Sequence, residues 1–277
     1  MLDNHFVPDG YGILPYINVY GKEVSTYSLF VGLGLLIGIL WFYFSVTRKE
    51  KKNQENKLSK INAYYIVLSA LIFGIIGSKI LVIIENFDII IKNINDIEKL
   101  KTLIYTGKSI VGGLIGGYIG VRFIKKRLNI ESVRTGNKIA PAIALGMAIG
   151  RIGCFLTGCC YGIETTLPIG INFGDGITRI PTQLIETIFC LGLFIYLFYK
   201  QRTDKNLMPG ILFKRLVLSY FVFRFLIEFI RGTTKNILFL SIYQVICILG
   251  IIYMIIKLKK EKFGKDIELE IEIIGEN

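Results

Sequence analysis

Residues 25–84 read STYSLFVGLGLLIGILWFYFSVT (25–47), RKEKKNQENKLSK (48–60) and INAYYIVLSALIFGIIGSKILVII (61–84). Two apolar runs of more than twenty residues, with Lys79 as their single charge, flank a loop that holds six Lys or Arg. A helix rises about 1.5 Å per residue, so either run can cross a hydrocarbon core about 30 Å thick. The basic stretch between them cannot enter that core. The pattern predicts two membrane-crossing helices joined by a loop on one side, and so places the chain among integral membrane proteins.

The rest of the sequence repeats this pattern. Further apolar spans lie at 109–124, 139–156, 183–199, 210–230 and 237–257, which makes seven. Alternation with the N-terminus outside puts 48–60, 125–138, 200–206 and 258–277 inside; these hold 18 Lys or Arg, against 8 in the outside segments. That bias follows the positive-inside rule. The expectation is one all-α polytopic domain over residues 1–277, with seven transmembrane helices, the N-terminus outside and the C-terminus inside.

Composition agrees. Of 277 residues 52% are hydrophobic and 19% charged, with mean hydropathy +0.55. These values exclude disordered and fibrous classes and exceed what a soluble core needs. The net charge of +12 is explained by topology, so no nucleic-acid partner is expected. Residues 1–23 lack a basic region followed by an apolar one, so no cleaved signal peptide is expected.

Three segments invite a structural reading. Gly112, Gly116 and Gly120 recur every four residues in span three and share a helix face. Small residues let helices approach closely in lipid, although the start of this span could also offer N–H groups to an anion. Segment 85–108, rich in Ile, suggests an amphipathic piece on the outer surface. Tail 258–277 reads as a short solvated strand or helix.

Charges inside spans are costly and usually functional. Arg151 and Lys79 lie five residues from the outer ends of their spans, and Arg224 six, or about 7–9 Å deep. Gln183 and Glu186 open span five at the same edge, and Glu228 sits one turn beyond Arg224. The pattern predicts a polar pocket facing the outer leaflet, with Arg151 and Arg224 opposite one another. Snorkelling and a purely structural ion pair are the alternatives. A guanidinium pair suits a phosphate, because its forks match phosphate oxygens and stay charged at low dielectric. The phosphate source at that depth is a phospholipid head group. Arg122, Lys214 and Arg215, near the inner edge, read as snorkelling residues.

Cys154, Cys159 and Cys160 gather at the outer end of span four. Three Cys without a nearby His fall short of a four-ligand zinc site, so no metal is expected. A reactive thiol beside Arg151, a disulfide, or small inert residues remain open. Cys190 and Cys247 lie deep in their spans. The chain's one histidine, His5, lies in the polar N-terminus.

These residues carry a family resemblance. The stretch Ala140 to Gly162, with Gly150-Arg151-Ile152-Gly153 at its centre, resembles the signature of prolipoprotein diacylglyceryl transferases. Tyr27-Ser28, Gly77-Ser78-Lys79, Ser109 to Gly116, Pro181-Thr182-Gln183-Leu184-Ile185-Glu186 and Arg224 to Arg231 fit in the same order. The resemblance implies seven helices with the N-terminus outside, in the bacterial plasma membrane. It implies transfer of diacylglycerol from phosphatidylglycerol to the lipobox cysteine of a prolipoprotein, without a cofactor. By the same resemblance Arg151, Gly112, Gly113 and Gln183 would bind phosphatidylglycerol, and Arg224 and Glu228 would be catalytic. Where the family carries His, Asn, Glu and His, this chain has Val111, Cys154, Cys159 and Ile180. Two alternatives follow. A diverged enzyme could pass a lipid-derived group to another acceptor with Cys159 as nucleophile, or the scaffold could bind or transport phospholipid without chemistry.

Overall fold

The computed structural model describes residues 12–47, 60–93, 96–97, 109–130, 135–204, 207–231 and 240–275. Its elements are β1 (Tyr16–Val19), β2 (Lys22–Ser25), α1 (Thr26–Thr47), α2 (Lys60–Glu85), α3 (Phe87–Lys92), α4 (Ile110–Arg127), α5 (Thr135–Thr157), β3 (Ile171–Asn172), β4 (Thr178–Arg179), α6 (Thr182–Thr203), α7 (Ile211–Ile227) and α8 (Ile242–Gly275). Each of the seven apolar runs overlaps a long helix, and residues 237–239 of the last run lie outside the described residues. Among the described residues five segments are long and apolar enough to cross a membrane: Thr26–Ser45, Ile61–Glu85, Gly136–Thr157, Thr182–Thr203 and Ile242–Lys259. The other two long helices, α4 and α7, have 18 and 17 residues.

Outward faces are apolar. Ile188 and Ile195 on α6 are 72% and 64% exposed, and Leu249 and Ile256 on α8 are 62% and 61% exposed. Each pair is seven residues apart, so each marks one helix face. Stripes of this kind are costly in water and neutral in lipid tails.

The chain divides into two compact units, residues 1–38 with 139–277, and residues 39–138. In the first, α1 packs on α5 through small residues. A β-carbon on Gly34 would lie 2.7 Å from the Gly146 carbonyl oxygen, and one on Gly153 would lie 2.6 Å from the Phe30 Cβ. Ala140 and Ala144 of α5, Leu193 and Leu197 of α6, and Leu212 and Leu216 of α7 form an apolar cluster.

Two small hairpins depart from the all-α expectation. β1 and β2 pair antiparallel from Tyr16↔Ser25 to Val19↔Lys22. Tyr20 and Gly21 turn the chain with φ of 50° and 77°, and Asn18 Oδ1 accepts from the Gly21 N–H at 2.9 Å. Two consecutive residues at positive φ are the preferred connection for a twisted hairpin. β3 and β4 pair within the loop after α5. Phe173 is buried there against Tyr161, with Phe155 packed on them. The Arg179 guanidinium lies 4.4 Å from the Tyr161 ring centroid and 2.7 Å from Asp175. The hydrogen bond from Arg179 holds the Asp175 carboxyl below its ordinary value.

In the second unit α2 and α4 touch backbone to backbone. A β-carbon on Gly112 or Gly116 would strike the carbonyl oxygen of Gly77 or Phe73, and one on Gly120 would lie 2.7 Å from the Ser69 carbonyl oxygen. Ser69 Oγ donates to the Gly120 carbonyl at 2.8 Å. The stripe of glycines is therefore a packing surface. Of segment 85–108, α3 is described, whereas 94–95 and 98–108 lie outside the described residues. The tail takes the helical alternative: α8 runs unbroken to Gly275, 34 residues in all. Its Lys, Glu and Leu content favours helix over strand.

Candidate active site

In the first unit α5, α6 and α7 bring five charged side chains into one buried layer. Arg151 comes from the C-terminal part of α5 and Glu186 from the first turns of α6. Arg224 lies in the last turn of α7, and Glu228 and Arg231 follow it. Glu186 and Glu228 are 0% exposed, and no arginine of the three exceeds 6%. Glu186 is the hub. Its Oε2 lies 2.6 Å from Arg151 Nη2, and its Oε1 lies 3.1 Å from Arg231 Nη1 and 3.7 Å from Arg224 Nη1. Arg224 Nη2 pairs with Glu228 Oε2 at 2.7 Å.

Neighbouring groups hold the layer in place. Ser241 Oγ donates to Glu228 Oε1 at 3.1 Å. Ser241 also caps α8. Its Oγ accepts from the Gln244 N–H, and Gln244 Oε1 accepts from the Ser241 N–H, a reciprocal capping box. The Arg224 guanidinium lies 4.9 Å from the Tyr243 ring centroid. Arg231 is anchored through its backbone. Gly162 and Arg231 form an antiparallel bridge, and the Ile163 N–H donates to the Ile230 carbonyl at 2.9 Å.

Three guanidinium groups and two carboxylates leave one excess positive charge in this layer. Arg151 Nε, Arg224 Nη1 and Arg231 Nε are buried without a hydrogen-bond acceptor. Burying ions is costly unless pairing and hydrogen bonding are complete. An anion with several acceptor oxygens would meet both deficits. The place between Arg151 and Arg224 is taken by Glu186, where the sequence led us to expect an open gap. A ligand phosphate would therefore sit beside that carboxylate, on the unused guanidinium edges.

The cysteines lie next to Arg151. The Sγ atoms of Cys154, Cys159 and Cys160 are all within 4.8 Å of one another. Arg151 Nη1 lies 3.8 Å from Cys154 Sγ. The Cys159 carbonyl accepts from Gln183 Nε2 at 2.6 Å, and the Cys160 carbonyl from Thr182 Oγ1 at 2.7 Å. Cys154 and Cys159 are buried, whereas Cys160 is partly exposed. Hydrogen bonds to Cys154 and Cys160, together with burial, hold the Cys159 thiol protonated, well above its ordinary value. That state does not suit the nucleophile expected at Cys159.

Arg151, Gln183, Arg224, Glu228 and Cys159 all belong to this one region. Gly112, Gly113 and Lys79 belong to the second unit. The Gly112 N–H donates to Ser109 Oγ at 3.2 Å and the Gly113 N–H to the Ser109 carbonyl at 2.9 Å. His5 lies outside the described residues. The sequence gives Glu186 a depth but no partner, sets Arg231 on one face with Glu228 by its i, i+3 spacing, and misses Ser241 as a member of the layer. The structure places Arg231 beyond the end of α7 and pairs it with Glu186. Ser241 carries a signal only as the first residue of an S-x-x-Q cap.

Comparison with known proteins agrees with the geometry. Residues 15–259 match the family model described as prolipoprotein diacylglyceryl transferase. A phosphatidylglycerol–prolipoprotein diacylglyceryl transferase of Clostridium tetani is 32% identical over 255 residues, covering 89% of this chain and 97% of the relative. The Clostridium perfringens protein named phosphatidylglycerol–prolipoprotein diacylglyceryl transferase 2 is 31% identical over 264 residues, covering 88% and 95%. A Finegoldia magna relative with the first of these names is 29% identical over 252 residues, covering 90% and 97%. Matches of this length take in both units and every element of the charged layer, and the chain belongs to the prolipoprotein diacylglyceryl transferase family.

Proposed function

We propose that this protein transfers the diacylglyceryl group of phosphatidylglycerol to the lipobox cysteine of a prolipoprotein. The supporting observation is the buried layer of three arginines and two glutamates, with its excess positive charge and unused guanidinium N–H groups. We place the reaction at the outer face of a bacterial plasma membrane, crossed by seven helices with the N-terminus outside. The distribution of Lys and Arg supports that orientation.

The acceptor sulfur attacks C3 of the lipid glycerol. The C3–O bond breaks and its electron pair leaves with the phosphate as glycerol phosphate. A phosphodiester with one negative charge becomes a monoester with two. Cations placed at the phosphate therefore stabilise the transition state more than the bound lipid. Arg151 and Arg224 supply that charge, Glu228 fixes the Arg224 fork, and Glu186 fixes Arg151 and Arg231. Gln183 directs its Nε2 to the Cys159 carbonyl, which leaves Oε1 as a buried acceptor with no donor. Oε1 cannot bond a phosphate oxygen, but it can accept from a head-group hydroxyl, which phosphatidylglycerol has.

The test is incubation of the purified protein with phosphatidylglycerol and a lipobox peptide, followed by mass spectrometry. The peptide gains one diacylglyceryl group per cysteine. An unmodified peptide, alongside an active family member, would overturn the proposal. Lipid translocated without chemical conversion would favour the transport alternative.

A further inference from the structure

Transfer to a thiol needs a proton acceptor, because the sulfur must attack as thiolate. The chain's one histidine is His5. The carboxylates of the layer, Glu186 and Glu228, are each held in arginine pairs. The cysteine cluster beside them has no part in the steps above.

From the clustering of three sulfurs, the left-handed backbone of its last member and the charge of the surrounding layer, we propose that Cys160 is the base of the reaction. This inference rests on the transferase reading. Cys160 has φ of 62°, a conformation uncommon for residues with a β-carbon and one that persists only where the surroundings impose it. They do so here. Thr182 Oγ1 holds the Cys160 carbonyl, Gln183 Nε2 holds the Cys159 carbonyl, and the Cys159 N–H bonds to the Cys154 carbonyl at 3.0 Å. The strain brings the third sulfur to the other two and leaves it, alone of the three, partly exposed.

The surroundings favour a thiolate at this position. Cys154 and Cys159 donate hydrogen bonds to the Cys160 sulfur, and Arg231 and Arg151 add positive charge, all lowering its pKa well below the ordinary thiol value against the effect of burial. Tyr27 of α1 and Tyr161 of the loop after α5 are further titratable groups in electrostatic contact with it. Before lipid binds, a Cys160 thiolate balances the one excess positive charge. Arrival of an anionic phosphodiester removes that balance and raises the proton affinity of Cys160. The proton then passes from the acceptor thiol to Cys160 sulfur, leaving the acceptor as thiolate. That thiolate forms the S–C3 bond, and the electron pair of the C3–O bond leaves with glycerol phosphate. Cys160 is not itself the nucleophile, because its attack on C3 would end in a thioether, a much poorer leaving group than a phosphate ester.

The test reads alkylation of Cys160 by iodoacetamide against pH in the wild-type protein, with peptide mass spectrometry. The midpoint is expected at least one unit below the free-cysteine value of about 8.5 and is expected to rise when phosphatidylglycerol, but not diacylglycerol, is added. Cys159→Ala, which removes one donor, raises the midpoint. Cys160→Ser lowers kcat by about a hundredfold or more with little change in KM for the lipid, and abolishes the acid limb of the pH profile. A midpoint at the free-cysteine value that ignores phosphatidylglycerol would overturn the inference. So would a Cys160→Ser protein with wild-type kcat and pH profile, and that result leaves the transferase reading standing. Absence of transfer by the wild type would overturn both.

Discussion

The α2–α4 pair and the α5–α6–α7 layer hold helices together in opposite ways. Between α2 and α4 the chain removes side chains, and three glycines let one backbone rest on another. Between α5, α6 and α7 it buries five ionised groups around Glu186. Lipid tails give helices no hydrophobic reason to associate, so close packing alone is enough for a structural contact. The charged layer is a far costlier means to the same end, with desolvation opposing every ion pair. A chain that uses glycine in one unit has no structural need for arginine in the other. The contrast supports our proposal that the charged layer is the site of chemistry.

The largest effect expected from breaking this contrast is on the chemistry. Arg151→Lys keeps the charge and loses the planar fork, so turnover in the transfer assay should fall by about 10²-fold or more with the fold retained. Glu186→Gln leaves three buried arginines without their shared carboxylate. Thermal unfolding in detergent should show a loss of about 3–5 kcal/mol. In the glycine pair, Gly112→Ala places a methyl group against the Gly77 carbonyl and should cost about 1–3 kcal/mol. Gly113 has room, since its β-carbon would lie 3.8 Å from the nearest atom, the Gly74 carbonyl oxygen. Gly113→Ala should change stability by less than about 0.5 kcal/mol. A large fall in its lipid affinity would then reveal a binding role there that packing does not explain.

A further small effect lies in the loop between α5 and α6. The Asp175 carboxyl is depressed in the folded chain by Arg179. Its contribution is complete above the ordinary aspartate range, near 3.9, and is lost as pH falls through the depressed folded value. Proteolysis of residues 163–178 should accelerate only below that range in the wild type. In Asp175→Asn the acid-dependent step should vanish, at a cost of about 1 kcal/mol or less.

Some of this architecture can be read directly from sequence, for reasons that differ by element. The long helices are legible because length and apolarity are written on continuous stretches, five of them enough to cross a membrane. The glycine contact is legible because spacing of four defines a face. Arg224 and Glu228 are legible as a pair for the same reason. Glu186 is not, since its three partners come from other parts of the chain and no local period records them. The β1–β2 hairpin is hidden because its turn depends on Tyr20 adopting positive φ, which tyrosine rarely does. Cys160 is hidden for the same reason. Next to Cys159 in sequence it looks equivalent, and the left-handed backbone at Cys160 accompanies the difference between the partly exposed thiol and the buried one.

The central claim is that the arginine layer accepts the phosphate that departs as the acceptor sulfur takes the lipid. It is tested most directly by measuring, in one reaction, the diacylglyceryl groups gained by a lipobox peptide and the glycerol phosphate released from labelled phosphatidylglycerol. The account predicts equal amounts of both with the wild type, and a parallel fall in both with Arg151→Lys. Release of glycerol phosphate without modified peptide, or full turnover of both products in the Arg151→Lys protein, would contradict it.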